Sequence, residues 1–186
     1  LEKTVRNEWG SAQKLTIHVP QLVCDSPDAA YINEELAAMY AADYRQYEDS
    51  PDAELQEDEW CPQTYIDWDA YWYGDCVSLV MFRYDGGSDP GYSRGWCFDF
   101  ASGNQLTVTQ MLQRMGADPA ALEEALSRDV KRRDELDRQA AIERGLLPTG
   151  SLKEGNTAWW TSLDELPLSF DEAGNVSFVV RRSSAA

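Results

Sequence analysis

Few residues of this chain are equipped for covalent chemistry. His18 is its only histidine, and a Ser-His-Asp triad would have to use it, yet no Gly-x-Ser-x-Gly elbow is present. A lone histidine in a strand pattern reads as structural. Gly86-Gly87 is too short for a phosphate-cradling loop or a dinucleotide fingerprint. Carboxylates are plentiful: Asp67 and Asp69 lie two apart on one strand face, and Asp85, Asp89 and Asp99 surround the glycine pair. A glycan hydrolase would need one such acid raised in pKa by an apolar pocket. Among 33 acidic residues such pairings arise by chance, so hydrolysis ranks third among the functional readings.

The cysteines Cys24, Cys61, Cys76 and Cys97 are even in number, lack a Cys-x-x-Cys pair and have one histidine for company, which argues against zinc. No metal or cofactor site is expected. Two disulfides in an exported protein are favoured over four reduced, buried thiols. Of the three connectivities, Cys76–Cys97 with Cys24–Cys61 leads, because Cys76 and Cys97 fall on consecutive predicted strands.

Seven tryptophans and nine tyrosines supply contact area suited to sugars or cations. Most fall on core-facing positions. Trp159 and Trp160 are adjacent, so they cannot both face inward on a strand, and they join the candidate binding residues.

The positioning elements follow from periodicity. Residues 15–19 read as an early strand ended by Pro20. Ser26-Pro27-Asp28 opens a helix whose stripe of Ala29, Ile32, Leu36, Tyr40, Tyr44 and Tyr47 predicts 27–47. Residues 48–59 form an acidic, solvated loop. Strands at 64–73, 76–84 and 92–100 make an antiparallel meander, with Gly74-Asp75 as a hairpin turn and Ile66, Trp68, Ala70 and Trp72 on the buried side. Ser102-Gly103-Asn104 turns the chain, and Thr107 with Gln110 forms a capping box for a short helix. Asp118-Pro119 starts a longer helix with Leu122, Ala125, Leu126, Val130, Arg133, Leu136 and Ala140 along its face, ended at Gly145. A hairpin spans 168–180 around Asp171-Glu172-Ala173-Gly174-Asn175. The expected fold is α+β, with the antiparallel meander and C-terminal hairpin packed on two main helices in one domain over 1–186.

A net charge of −17 excludes nucleic acid and anionic membranes as natural partners and suits a cationic one. No stretch is apolar enough to span a membrane. The chain begins at Leu1 with no signal region, so a leader or anchor is expected to have been removed.

The order of motifs from 77 to 112 carries a resemblance. A strand, Asp85-Gly86-Gly87, a second strand, Phe98-Asp99-Phe100-Ala101-Ser102-Gly103, Leu106-Thr107 and a following helix resemble a bacterial extracytoplasmic domain family. That family includes the lysozyme-sensing domain of the RsiV anti-sigma factor and the region beside the deacetylase of PdaC-type peptidoglycan enzymes. Ile32-Asn33 and the 168–180 hairpin match further family segments. Two departures stand out: Ser88-Asp89 replaces the family's Ala-His after the glycines, and the tyrosine-rich segment that often follows the last hairpin is not seen. The resemblance implies a non-catalytic envelope module, extracytoplasmic, binding a cationic protein such as lysozyme. The alternative is binding of a cell-wall glycan or peptidoglycan fragment. Asp85, Ser88, Asp89 and Tyr92 are the expected contact residues, with Trp159 and Trp160.

Overall fold

The computed structural model describes residues 1–7, 10–39, 45, 47–86, 92–146 and 162–178, with the side chains of Asp85 and Tyr92 left aside. A six-stranded sheet forms its centre: β1 Glu2–Arg6, β2 Ala12–Ile17, β3 Gln63–Tyr73, β4 Cys76–Asp85, β5 Tyr92–Asp99 and β6 Asn104–Leu106, ordered as they occur in the chain. All pairs are antiparallel except β2 with β3. Helix α1 (Pro27–Met39) packs on one face, and α2 (Val108–Arg114) with part of α3 (Pro119–Glu143) packs on the other. A short 3-10 turn, Leu163–Glu165, leads into a separate two-stranded sheet of β7 Leu168–Phe170 and β8 Val176–Phe178. The α+β expectation holds, with the C-terminal hairpin standing as its own sheet.

Two cores result from strand alternation. Val5, Leu15, Ile17, Ile66, Val77, Leu79, Met81, Trp96 and Phe98 meet Ala29, Ile32 and Leu36 of α1. On the opposite face, Cys76 and Cys97 join Leu106, Met111, Leu112, Val130, Leu163, Leu168 and Phe170. Asn33 anchors the approach to α1: its Oδ1 accepts from the Leu22 amide at 2.8 Å and its Nδ2 donates to the Leu22 carbonyl at 2.9 Å.

The local signals act as expected. Ser26 Oγ accepts from the Ala29 amide, Thr107 and Gln110 form the reciprocal capping box, and Asp118 caps α3 through the Ala120 and Ala121 amides. Gly74 turns the β3–β4 hairpin at φ +57°. The expected end of α1 at 47 falls beyond the described helix, with 40–44 and 46 outside the described residues. β1 and β6 were not anticipated, and Leu136 on the expected inner stripe of α3 is exposed. The acidic loop is tied down: the Ala53 amide donates to Thr4 O, and Arg6 clasps Glu59 at 2.6 and 3.0 Å. Hydrogen bonds from Arg6, then from the Gln56 amide, pull the Glu59 carboxyl down to about 2.

Neither expected disulfide is formed in the structure, where all four cysteines are free. Cys76 lies opposite Asp99 and Cys97 opposite Ser78, so the two are diagonal neighbours. Such pairs sit about 7–8 Å apart, beyond the ~4.4–6.8 Å Cα span that a bridge accepts. Cys24 lies against Gly103, at the Cys76–Asp99 end of the sheet. Cys61 precedes Gln63 at the Gly86 end. The length of β3 separates them, about 30 Å at roughly 3.3 Å per residue.

Candidate functional site

Of the contact residues expected from sequence, the structure describes the backbone of two. Asp85 closes β4 opposite Thr64 and Tyr92 opens β5 opposite Arg83. Ser88, Asp89, Trp159 and Trp160 lie outside the described residues. Gly86 has a packing role: a Cβ there would stand 2.7 Å from Gln63 N and O, and its amide donates to Gln63 O at 2.6 Å. Glycine lets the end of β4 close on the start of β3.

Open chemistry lies instead along β3. Its odd-numbered residues, Tyr65, Asp67, Asp69, Tyr71 and Tyr73, share one face, about 26 Å long at roughly 3.3 Å per residue. The hairpin β7–β8 and the 3-10 turn cover only part of that face: Pro167 sits against Gly95, and Ser78 Oγ donates to Leu168 O at 2.6 Å. Tyr71 borders the covered part, its ring 5.8 Å from Phe170. Tyr65, Asp69, Tyr73 and, across from Tyr65, Tyr84 remain exposed, with Asp67 half-buried.

Hydrogen bonds fix the polarity of this surface. The Tyr65 hydroxyl donates to Asp67 Oδ2 at 2.5 Å, and the Tyr71 hydroxyl to Asp69 Oδ2 at 3.4 Å. The Trp68 amide donates to Asp67 Oδ1 at 2.9 Å. Partial burial pushes the Asp67 carboxyl up, but the Tyr65 hydroxyl, the Trp68 amide and neighbouring His18 outweigh it and hold it below its ordinary value. The Tyr65 phenol is raised, first by its bond to Asp67, and Tyr71 is raised by burial and by Asp69. Asp67 is therefore a carboxylate at neutral pH, and the two phenols are donors rather than nucleophiles. Asp67 cannot be the raised-pKa general acid that a two-carboxylate hydrolase requires. His18 lies between two acids, its ring nitrogens 3.5 Å from Glu2 and 3.4 Å from Asp67.

On the other face of β3, Trp68 and Trp72 depart from the expectation that they are core. They are 40% and 59% exposed, and Trp72 stacks on Phe100 at 5.5 Å between centroids. Strand alternation assigned both to the α1 side correctly, but the core on that side is built from β2, the start of β3, β4 and β5, and leaves the second half of β3 at its margin.

The Phe98-to-Gly103 segment is structural. Asp99 is buried and accepts from the Ala101 and Ser102 amides, the Ser102 hydroxyl at 2.7 Å and Arg114 at 2.6 Å. Those partners, Ser102 first and Arg114 next, hold its carboxyl at about 2. Arg114 Nη1 also lies 3.1 Å from Cys76 Sγ. Burial lifts the Cys97 thiol to about 11, which removes it as a nucleophile at neutral pH. Among the described residues no group of three or more His, Cys, Asp or Glu side chains is placed to hold a metal ion, and no helix is long and apolar enough to cross a membrane.

Comparison with known proteins yields no matching family model and no matching curated protein.

Proposed function

We propose that the protein is a non-catalytic binding module of the bacterial cell envelope, of the RsiV/PdaC-associated kind, that takes a cationic protein such as lysozyme as its partner. The observation that carries this reading is the open tyrosine–carboxylate face of β3. Two carboxylates set between phenol rings supply charge pairing and cation–π contact to Lys and Arg side chains. The rings are two-torsion side chains that lose little entropy on docking. The net charge of −17 adds a long-range field that speeds encounter with a basic protein.

Titration with hen lysozyme at low and high salt tests the proposal. Binding that falls steeply with salt, and that weakens about five- to thirtyfold in the double variant Asp67→Asn/Asp69→Asn, is expected if each exposed pair contributes roughly 0.5–1 kcal/mol. No binding at low salt, or binding indifferent to both carboxylates, overturns it. Glycan binding is the second reading, favoured by the exposed Trp72–Phe100 stack as a platform for a sugar ring. Its affinity for peptidoglycan fragments would change little with salt and would be lost in Trp72→Ala.

A further inference from the structure

The ladder between β2 and β3 covers only part of β3. Pairing runs from Lys14 opposite Gln63 to Ile17 opposite Ile66, and among the described residues no strand pairs with that side of β3 beyond Ile66. The cause lies in the sequence after β2: His18 makes one last bond, its amide to Ile66 O at 2.9 Å, and Pro20 has no amide to continue the ladder. Among the described residues, 67–73 are therefore a sheet edge.

The direction of its backbone groups follows from the bonds already made. Pro62 O accepts from Lys14 and Ile66 O from His18, so even-numbered residues here turn their amides and carbonyls toward β2. Gln63 O accepts from Gly86, so odd-numbered ones turn toward β4. Alternation carries the pattern on: Trp68, Ala70 and Trp72 point their backbone groups outward from the open edge. The Trp68 amide is met by the side chain of Asp67, while Ala70, with its small side chain between the two indoles, leaves the middle of the edge approachable.

We propose that this edge is a strand-addition site for an extended, basic segment of the partner protein. The inference rests on the cationic-partner reading above and adds its mode of binding: main-chain hydrogen bonds to Ala70 and Trp72, with specificity read by alternate side chains. A strand laid along residues 67–73 places every second side chain beside Asp67 and Asp69, where Lys or Arg is favoured, and the others beside Trp68 and Trp72, where apolar groups are favoured. The same carboxylates disfavour a second copy of this edge as occupant, since two copies would set like charges side by side.

The probe is a capped seven-residue peptide of alternating Lys and Val, used with the full chain and read by amide hydrogen exchange. At peptide ten times above Kd, exchange of the Ala70 and Trp72 amides is expected to slow about tenfold, as these amides exchange only from the free protein. Two N-methylated versions, each blocking one alternate set of peptide amides, supply the control. One is expected to lose the protection and the other to keep it, because only one set faces the edge. Equal behaviour of the two methylated peptides overturns strand addition, as does peptide binding that leaves both amides unprotected. A parallel titration with lysozyme separates the two proposals. Lysozyme binding without peptide binding or edge protection overturns the edge site and leaves the binding function standing, and absence of both overturns both.

Discussion

Replacing Asn33 by alanine tests how α1 is held to the sheet. The side chain closes two hydrogen bonds with the backbone of Leu22, a residue only 9% exposed, and both are lost together. Each bond contributes about 1 kcal/mol net. Because Asn33 itself is half-buried, water can partly replace it, so the lower end of the unsatisfied-group penalty applies. Alanine returns roughly 0.5 kcal/mol through its better helix propensity. The expected loss is about 1.5 kcal/mol, or ~3–6 °C in Tm for a chain of this size. Chemical denaturation and calorimetry should be run beside Glu34→Ala, an exposed neighbour on the same helix. Asn33→Asp sharpens the test: it keeps an acceptor for the Leu22 amide but sets a carboxylate against the Leu22 carbonyl. At neutral pH it should cost at least as much as alanine, and it should recover as pH falls and the new acid regains a donor. Asn33→Ala within about 0.5 kcal/mol of the Glu34 control, or an Asn33→Asp protein with no acid recovery, would refute the reasoning.

Three further outcomes follow from the geometry. With all four cysteines free, the mass of the unreduced protein should equal that of the reduced one, and a thiol reagent at pH 8 should modify Cys97 only after denaturation, since its thiol titrates at about 11. Asp99, held at about 2 in the fold, stabilises it above the ordinary carboxyl range, and that contribution disappears as pH falls from about 4 toward 2; Asp99→Asn should flatten the acid limb of the stability profile, and an unchanged slope would contradict the assignment. Gly86→Ala must push a methyl group into the Gln63 backbone and should lower stability by about 1–3 kcal/mol in urea titration.

What could be read in the sequence was what neighbours decide. Gly74-Asp75, Thr107 with Gln110 and Asp118-Pro119 act within a few residues of themselves, and each forms the turn or cap its residue types dictate. β1 escaped because Glu2-Lys3-Thr4-Val5-Arg6 buries only Val5, too little for an alternation signal. In β3 both faces carry rings; periodicity separated Tyr65 and Tyr71 from Trp68 and Trp72, but the buried side it gave the two tryptophans does not keep them from solvent. That depends on where β2 stops and how far β7 reaches, both long-range facts. Register is likewise hidden from the sequence: Cys76 and Cys97 do fall on consecutive strands, but Cys97 meets Ser78 and Cys76 meets Asp99. Asp67 and Asp69 were noticed as a possible catalytic pair, yet only the bond from Tyr65 and the fall in the Asp67 pKa reveal a fixed anionic surface.

The parallel contact between β2 and β3 also has a kinetic side. Strands β3 to β6 follow one another through short connections, so their pairings cost little chain entropy. The β1–β2 hairpin reaches β3 only by closing the chain from Ile17 to Gln63, with α1 and the acidic loop inside the closure. Closure entropy rises with the length enclosed, and such contacts form after local ones. The meander is thus expected to form first and the N-terminal hairpin to arrive late. During the interval this side of β3 is an unguarded edge, and after it, among the described residues, β2 covers only Gln63 to Ile66. The aspartates on the second half then work as gatekeepers of a nascent chain, keeping half-folded copies apart until the hairpin docks.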